Sequence, residues 1–290
     1  MRLASLLAAT CLTLAVLAAP LIGAQGPATN EHLVMGNPGG ATADPAGSGS
    51  NYLIARDQFA LSYNNAKRIP NWVSWHLDRS WIGTVGREGA FHPDADLPPA
   101  FTKVQPSDYS GTGFDRGHMC PSGDRTRSAA DNQAVFTMTN MVPQAPDNNR
   151  KTWEGLENYC RQIAGSGDDE LYIIAGPEGV GGTGSKGFRT TLNAKQRIFV
   201  PSVTWKVIMV LPAGTDDPAR VDASTRTIAV IVPNQQGLDP DWKQFRRSVR
   251  EVEELTGLDF FSNVPRAIQD AIENTVDGEH GEGGDINGLH

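Results

Sequence analysis

Residues 114–121 read Phe114-Asp115-Arg116-Gly117-His118-Met119-Cys120-Pro121. This strand-like run sets a histidine beside an acid and a guanidinium. A neutral imidazole, with an ordinary pKa of ~6.5, can take a proton from water near neutral pH. An arginine fork suits phosphate oxygens. Downstream come Asn140-Met141-Val142-Pro143-Gln144, then Asn148-Asn149, then Trp153-Glu154-Gly155-Leu156-Glu157. One amide oxygen can serve a hard cation that keeps most of its waters, and a carboxylate behind it can hold those waters. Base, metal ligand, supporting carboxylate and phosphate clamps together make a candidate phosphodiesterase centre.

Each residue also has a plainer reading. His118 could be a core histidine bonded to backbone. Asn148 or Asn149 could cap a helix just before Arg150. Glu157 and Arg161 could be an ordinary i, i+4 pair, Arg87 a surface arginine of a loop, and Asn140 a turn residue.

Asp115-Arg116-Gly117-His118, followed in order by Asn140-Met141-x-Pro143-Gln144, Asn148-Asn149 and Trp153-x-x-Leu156-Glu157, resembles the DNA/RNA non-specific endonuclease family, whose active centre is the ββα-metal (His-Me finger) motif. The resemblance covers roughly residues 53–265 and closes on Leu258-Asp259-Phe260-Phe261-Ser262-Asn263-Val264-Pro265. It implies a central antiparallel sheet with helices on both sides. It also implies a divalent metal, Mg²⁺ or Mn²⁺, and products with 5′-phosphate ends. His118 would be the general base. Asn149, at the family's spacing from Glu157, would be the direct metal ligand in preference to Asn148. Glu157 and Asp115 would act on the metal through water. Arg161 and Arg87 would clamp phosphate, Arg87 through the looser pattern Arg87-x3-Phe91-x2-Asp94. Arg116 and Asn140 would support the site, Asn140 by fixing the loop opposite the histidine strand.

With 290 residues the chain could hold one large domain or two small ones. Arg2 precedes an uncharged Leu/Ala-rich run over 3–19 and small residues at Gly23-Ala24, the pattern of a secretory leader over residues 1–24. A membrane anchor competes, because the run approaches spanning length. Residues 25–50, rich in Gly, Ala, Pro and Ser, read as a flexible lead-in. A catalytic domain is expected over 51–276. Residues 277–290 carry Asp277, Glu279, Glu282 and Asp285 without Lys or Arg, and read as a disordered acidic tail.

Cys11 would leave with the leader. Cys120 and Cys160 then form an even pair in an exported protein, and a disulfide is expected. Two buried thiols, or a zinc site shared with His118, compete; no CxxC or HxxxH spacing supplies further zinc ligands. The formal charge of −8 argues against a tight, sequence-specific DNA binder. Residues 111–165 hold six Lys/Arg and six Asp/Glu, so the candidate site is locally neutral.

Periodicity predicts strands over 59–63 and 71–77, a loop over 83–113, and strands over 114–121 and 134–138 around an irregular connection. Residues 150–165 read as a helix, with Trp153, Leu156, Cys160 and Ile163 on one apolar stripe. Strands follow at 171–175, 197–200, 204–211 and 227–232. A helix over 242–255 stops at Gly257, and a last helix spans 265–275. The reading is one α+β domain.

The expectation is a secreted or periplasmic, Mg²⁺-dependent endonuclease acting on DNA and RNA, single- or double-stranded. It would have little sequence preference and no stable membrane association once the leader is removed. Two other classes compete: an inactive scaffold that binds nucleic acid or protein, and a redox or zinc protein built on Cys120 and Cys160.

Overall fold

Long strands of alternating character build the platform on which the candidate site rests. The computed structural model describes residues 30–195 and 197–278; the expected leader, and the tail from residue 279, lie outside the described residues. The strands are β1 (Tyr52–Ala55), β2 (Ala60–Asn64), β3 (Ile69–Leu77), β4 (Asp115–His118), β5 (Met141–Gln144), β6 (Asp169–Glu178), β7 (Gly182–Gly184), β8 (Gly187–Arg189), β9 (Thr191–Leu192), β10 (Ile198–Phe199), β11 (Val203–Pro212), β12 (Arg226–Pro233) and β13 (Arg246–Arg247). Seven form one antiparallel sheet in the order β1-β2-β3-β6-β11-β12-β13. β6 and β11 pair along their whole length, from Val203 opposite Glu178 to Pro212 opposite Asp169.

Because side chains alternate along a strand, the sheet has two dissimilar faces. On β11, Trp205, Val207, Met209 and Leu211 enter the back core, whereas Ile208 enters the front core and Thr204 and Lys206 share its face. The helices are α1 (Ala129–Ala134), α2 (Glu154–Ser166), α3 (Asp217–Arg220), α4 (Val249–Thr256) and α5 (Arg266–Ile272). α2 lays Leu156, Cys160 and Ala164 on the front face against Trp75, Val142 and Ile173. α4 and α5 cover the back with Val249, Val252 and Ile272. The antiparallel sheet flanked by helices is thus as expected. Among the described residues no helix is long and apolar enough to cross a membrane.

Four local expectations change. Residues 134–138 are not a strand. Ser128 caps α1 by accepting from the Asp131 amide, and the partner of β4 is β5, with His118 opposite Met141. The helix expected over 150–165 begins as a π-helical turn, Asn148–Trp153, before α2. The helix expected over 242–255 is interrupted because Arg246–Arg247 pairs with β12, and Ser248 and Glu251 then start α4 with a reciprocal capping box. The lead-in is packed from Asn30 onward: Met35 and Ala41 are buried in the back core, the Ser74 hydroxyl donates to His32 O at 2.6 Å, and Asn263 donates to Val34 O at 2.9 Å.

The expected disulfide is also corrected. Cys120 and Cys160 are free thiols, both buried in the front core. Burial pushes each up to about 12, so both pack as small neutral hydrophobes. An even pair of cysteines in an exported chain carries no information about side-chain geometry.

Candidate active site

β4, β5 and α2 with its π-helical entry form a small ββα unit on the front of the sheet, beside an open cleft of about 650 Å³. His118, Asn149, Glu157, Arg87, Arg116 and Arg161 all line this cleft, as does Asp115. Asn140 does not. It is fully buried, and its amide accepts from Cys120 N at 3.0 Å and donates to Cys120 O and Val135 O, each at 2.9 Å. It therefore fastens the backbone just past His118 to the β5 side of the ribbon.

His118 is set edge-on to Phe136, with centroids 4.8 Å apart and planes at 84°, and tilted against Phe91 at 5.4 Å. Its Nε2 is buried without a partner, which leaves Nδ1 as the ring nitrogen open to the cleft. Burial, with Arg87 second, pulls its pKa down to about 3. The imidazole is neutral and holds a free lone pair across the physiological range. Arg87 lies over the Phe136 ring at 5.1 Å and Arg116 over Phe91 at 4.9 Å. Two aromatic rings thus lie between the imidazole and the cations that flank it.

The two adjacent asparagines point opposite ways. Asn148 is buried and donates to the Thr204 hydroxyl at 3.0 Å and to Pro233 O at 3.2 Å, tying the turn to the sheet. Asn149 donates its Nδ2 to Asp115 Oδ2 at 2.9 Å. A carboxylate can only accept, so the amide nitrogen is committed and Oδ1 is left as an acceptor in the cleft. Asp115 also takes Arg150 in a two-pronged pair at 2.6 and 2.8 Å. The oxygens available here are an amide and the carboxylates of Glu157 and Glu154, a hard donor set that suits a Mg²⁺-like ion retaining its waters. Among the described residues no cluster of three or more His, Cys, Asp or Glu is placed to hold a metal, so an ion here would take amide, water and substrate oxygens.

Glu157 sits on the first turns of α2. Burial raises its pKa to about 7, against the opposing pull of Lys206 and Arg161. Lys206 is itself 1% exposed, with its ammonium 4.3 Å from the Trp153 ring and 5.6 Å from that of Trp75. Arg161 does not make the simple pair with Glu157. Its guanidinium bonds Asp124 Oδ1 at 2.8 Å and Asn158 Oδ1 at 2.6 Å, while Asp124 Oδ2 accepts from Trp75 at 2.9 Å. The guanidinium lies so close over Gly123 that a Cβ there would come within 2.8 Å of it.

Sequence reasoning missed Arg150, Glu154, Asp124 and Lys206. Arg150 had a signal, being the residue after the assigned amide. Asp124 and Lys206 had none, since nothing local shows that the chain folds them under α2.

The DNA/RNA non-specific endonuclease family pattern matches residues 39–267. The chain is 48% identical over 251 residues to a nuclease of Nostoc sp. (strain PCC 7120), covering 87% of this chain and 88% of that protein. It is 35% identical over 216 residues to human mitochondrial nuclease EXOG, covering 71% of this chain and 56% of the human protein. In fold it resembles the EndoG chain solved in complex with EndoGI, with a TM-score of 0.68, 24% identity, and coverage of 85% of this chain and 96% of that one. The ordered motif, the ββα unit at the cleft and these likenesses converge: the chain is a nuclease belonging to the DNA/RNA non-specific endonuclease family.

Proposed function

We propose that the protein is a metal-dependent endonuclease that hydrolyses DNA and RNA, single- or double-stranded, with little sequence preference. The observation that carries this reading is the convergence of a neutral, unpaired His118, the free amide oxygen of Asn149 and the Glu157 carboxylate on one arginine-rimmed cleft. Asn149 Oδ1 would hold a hard divalent cation, Mg²⁺ or Mn²⁺, with Glu157 and Glu154 gripping its waters, and the bound ion would neutralise the scissile phosphate and the departing oxygen.

The chain's own residues do the rest. His118 takes the proton of the attacking water at Nδ1. Its depressed pKa keeps it in the base form, and Asn140 holds the strand end so that the ring keeps its aim. Arg87, Arg116 and Arg161 meet the non-bridging phosphate oxygens, with Arg161 held by Asp124 and Asn158. Asp115 fixes both Asn149 and Arg150, coupling the amide ligand to the fourth arginine of the rim. The water oxygen bonds to phosphorus as the P–O3′ bond breaks; the 3′-oxygen takes a proton from a water in the cleft and leaves as a 3′-hydroxyl, and the phosphate stays on the 5′ side. The N-terminal leader pattern supports export to the periplasm or the medium.

Supercoiled plasmid and a structured RNA, each incubated with the mature protein in Mg²⁺ or EDTA, test this. Nicking and RNA loss in Mg²⁺, both abolished by EDTA and by His118→Ala, are expected. Binding without cleavage of either would leave only a nucleic-acid-binding scaffold. N-terminal sequencing of the exported protein tests the leader.

A further inference from the structure

Phe188, Val180 and Leu255 are the exposed large apolar side chains among the described residues, and two of them meet at one hairpin. Phe188 lies on β8 and is 63% exposed; the far end of its ring rests on Gly181, where a Cβ would come within 2.4 Å, beside Val180. Residues 186–197 contain Lys186, Arg189, Lys195 and Arg197 and no Asp or Glu, in a chain whose net charge is −8. All four cations are exposed, and none makes an ion pair among the described residues. Asp108 and Glu178 are engaged elsewhere: Asp108 accepts from Asn193 and Gln105, and Glu178 from Gly179.

The hairpin is continuous with the cleft wall. Lys186 Nζ donates to Gly111 O at 2.9 Å, Ser185 N donates to Gly113 O at 2.9 Å, and Gly184 packs against Phe114. The next residues along that segment, Asp115 and Arg116, line the cleft. An exposed aromatic next to Arg189 in the chain and two residues from Lys186, in a segment without acids, has the chemistry of a single-strand track, in which bases stack on the ring and phosphates meet the charges. A duplex offers phosphates but no free base face.

We propose that the β7–β8 hairpin and the basic segment that follows it in the chain form an accessory site for single-stranded nucleic acid. The strand leaving the cleft stacks a base on Phe188 and lays its phosphates along Arg189, Lys195 and Arg197. The proposal rests on the nuclease reading above and extends that site along its substrate.

Two variants of the whole protein, Phe188→Ala and the double variant Arg189→Glu/Lys195→Glu, test it. Fluorescence anisotropy of a labelled single strand of about twenty nucleotides, in EDTA, reads binding without cleavage. Phe188→Ala should weaken binding about tenfold, the scale of one lost stacking contact. The double charge variant should also weaken it and make its salt dependence shallower, with a slope smaller by about 1.4. A blunt duplex should respond to the charge variant and not to Phe188→Ala. In Mg²⁺, KM for the single strand should rise by the same factors with kcat unchanged, and hydrolysis of bis(p-nitrophenyl) phosphate should not change. Anisotropy within about twofold of wild type for both variants overturns the proposal, as does an equal loss on the strand and the small diester in protein that circular dichroism shows to be folded. If wild type cleaves neither substrate, the catalytic reading falls, and the anisotropy still decides this one.

Discussion

His118 on the cleft side and His76 on the back of the sheet are each 7% exposed, yet the fold drives them to opposite charge states. His118 has aromatic rings for neighbours and no acid, and burial, with Arg87 second, takes its pKa down to about 3. His76 is buried too, but Nε2 meets Glu170 at 3.0 Å and Nδ1 meets Glu31 at 3.5 Å, with Tyr172 stacked 4.8 Å away. Burial works against the charged form, and the bonds to Glu170 and Glu31 override it, raising the pKa to about 9. One histidine is kept neutral. The other is a cationic clamp that holds the packed N-terminal segment to the sheet. Burial alone assigns neither role; the partners decide.

The sharpest break of this comparison is His118→Ala. It should lower turnover at least about a hundredfold, the scale of general-base catalysis, while the variant melts like a folded protein. Near-normal nicking would remove His118 from the chemistry.

Next is the asparagine pair, in which neighbouring residues divide function from stability. Asn149→Ala should abolish metal-dependent cleavage and leave the fold nearly unchanged. Asn148→Ala should retain most activity but cost about 1–3 kcal/mol in urea unfolding, because the Thr204 hydroxyl and the Pro233 carbonyl lose a buried partner. Reversed effects would put the metal ligand one residue earlier.

Glu157 gives a smaller effect. Glu157→Gln should weaken metal affinity about 10–100-fold, as loss of an outer-shell carboxylate does. The Mg²⁺ needed for half-maximal activity should fall in wild type as pH rises through about 7, where this carboxyl ionises. The variant should lack that dependence.

The histidines themselves predict opposed pH effects on stability. His76, raised from 6.5 to about 9, contributes stability that is fully present below pH 6.5 and lost as pH rises through 9. His118, lowered from 6.5 to about 3, removes stability as pH falls from 6.5 toward 3, because the unfolded state binds the proton first. Urea unfolding at a series of pH values should show His76→Gln flattening the alkaline limb alone. The smallest effect concerns the thiols: reductant should leave the melting temperature unchanged, and Cys120 and Cys160 should be alkylated only in denaturant. Prompt alkylation of the native protein would contradict their burial in the front core.

Much of this molecule was legible along the chain. The long strands and α2 announced themselves by apolar alternation and by the stripe of Leu156 and Cys160, because these periods are properties of neighbouring residues. That His118, Asn149 and Glu157 would share one site was legible because the ββα unit is built from one continuous stretch. The break at Arg246–Arg247 was harder. Helical periodicity continued through it, and only pairing with β12 favours an extended backbone there. Met35 and Ala41 were hidden for a similar reason, since their burial depends on contacts with the distant back core.

The sequence by itself determined which candidate side chains the cleft receives and their order in the chain: His118, then Asn149, then Glu157, on elements whose apolar faces must be buried. Only the tertiary structure decided the state of those groups. It turned Arg161 toward Asp124 rather than Glu157, set Asn148 toward the sheet and Asn149 toward the cleft, left two thiols unbonded, and made one buried histidine neutral and the other charged. The physical reason is one of range. Periodicity and motif spacing are local, whereas desolvation, ion pairing and the supply of hydrogen-bond partners depend on what folding brings alongside from far away in the chain.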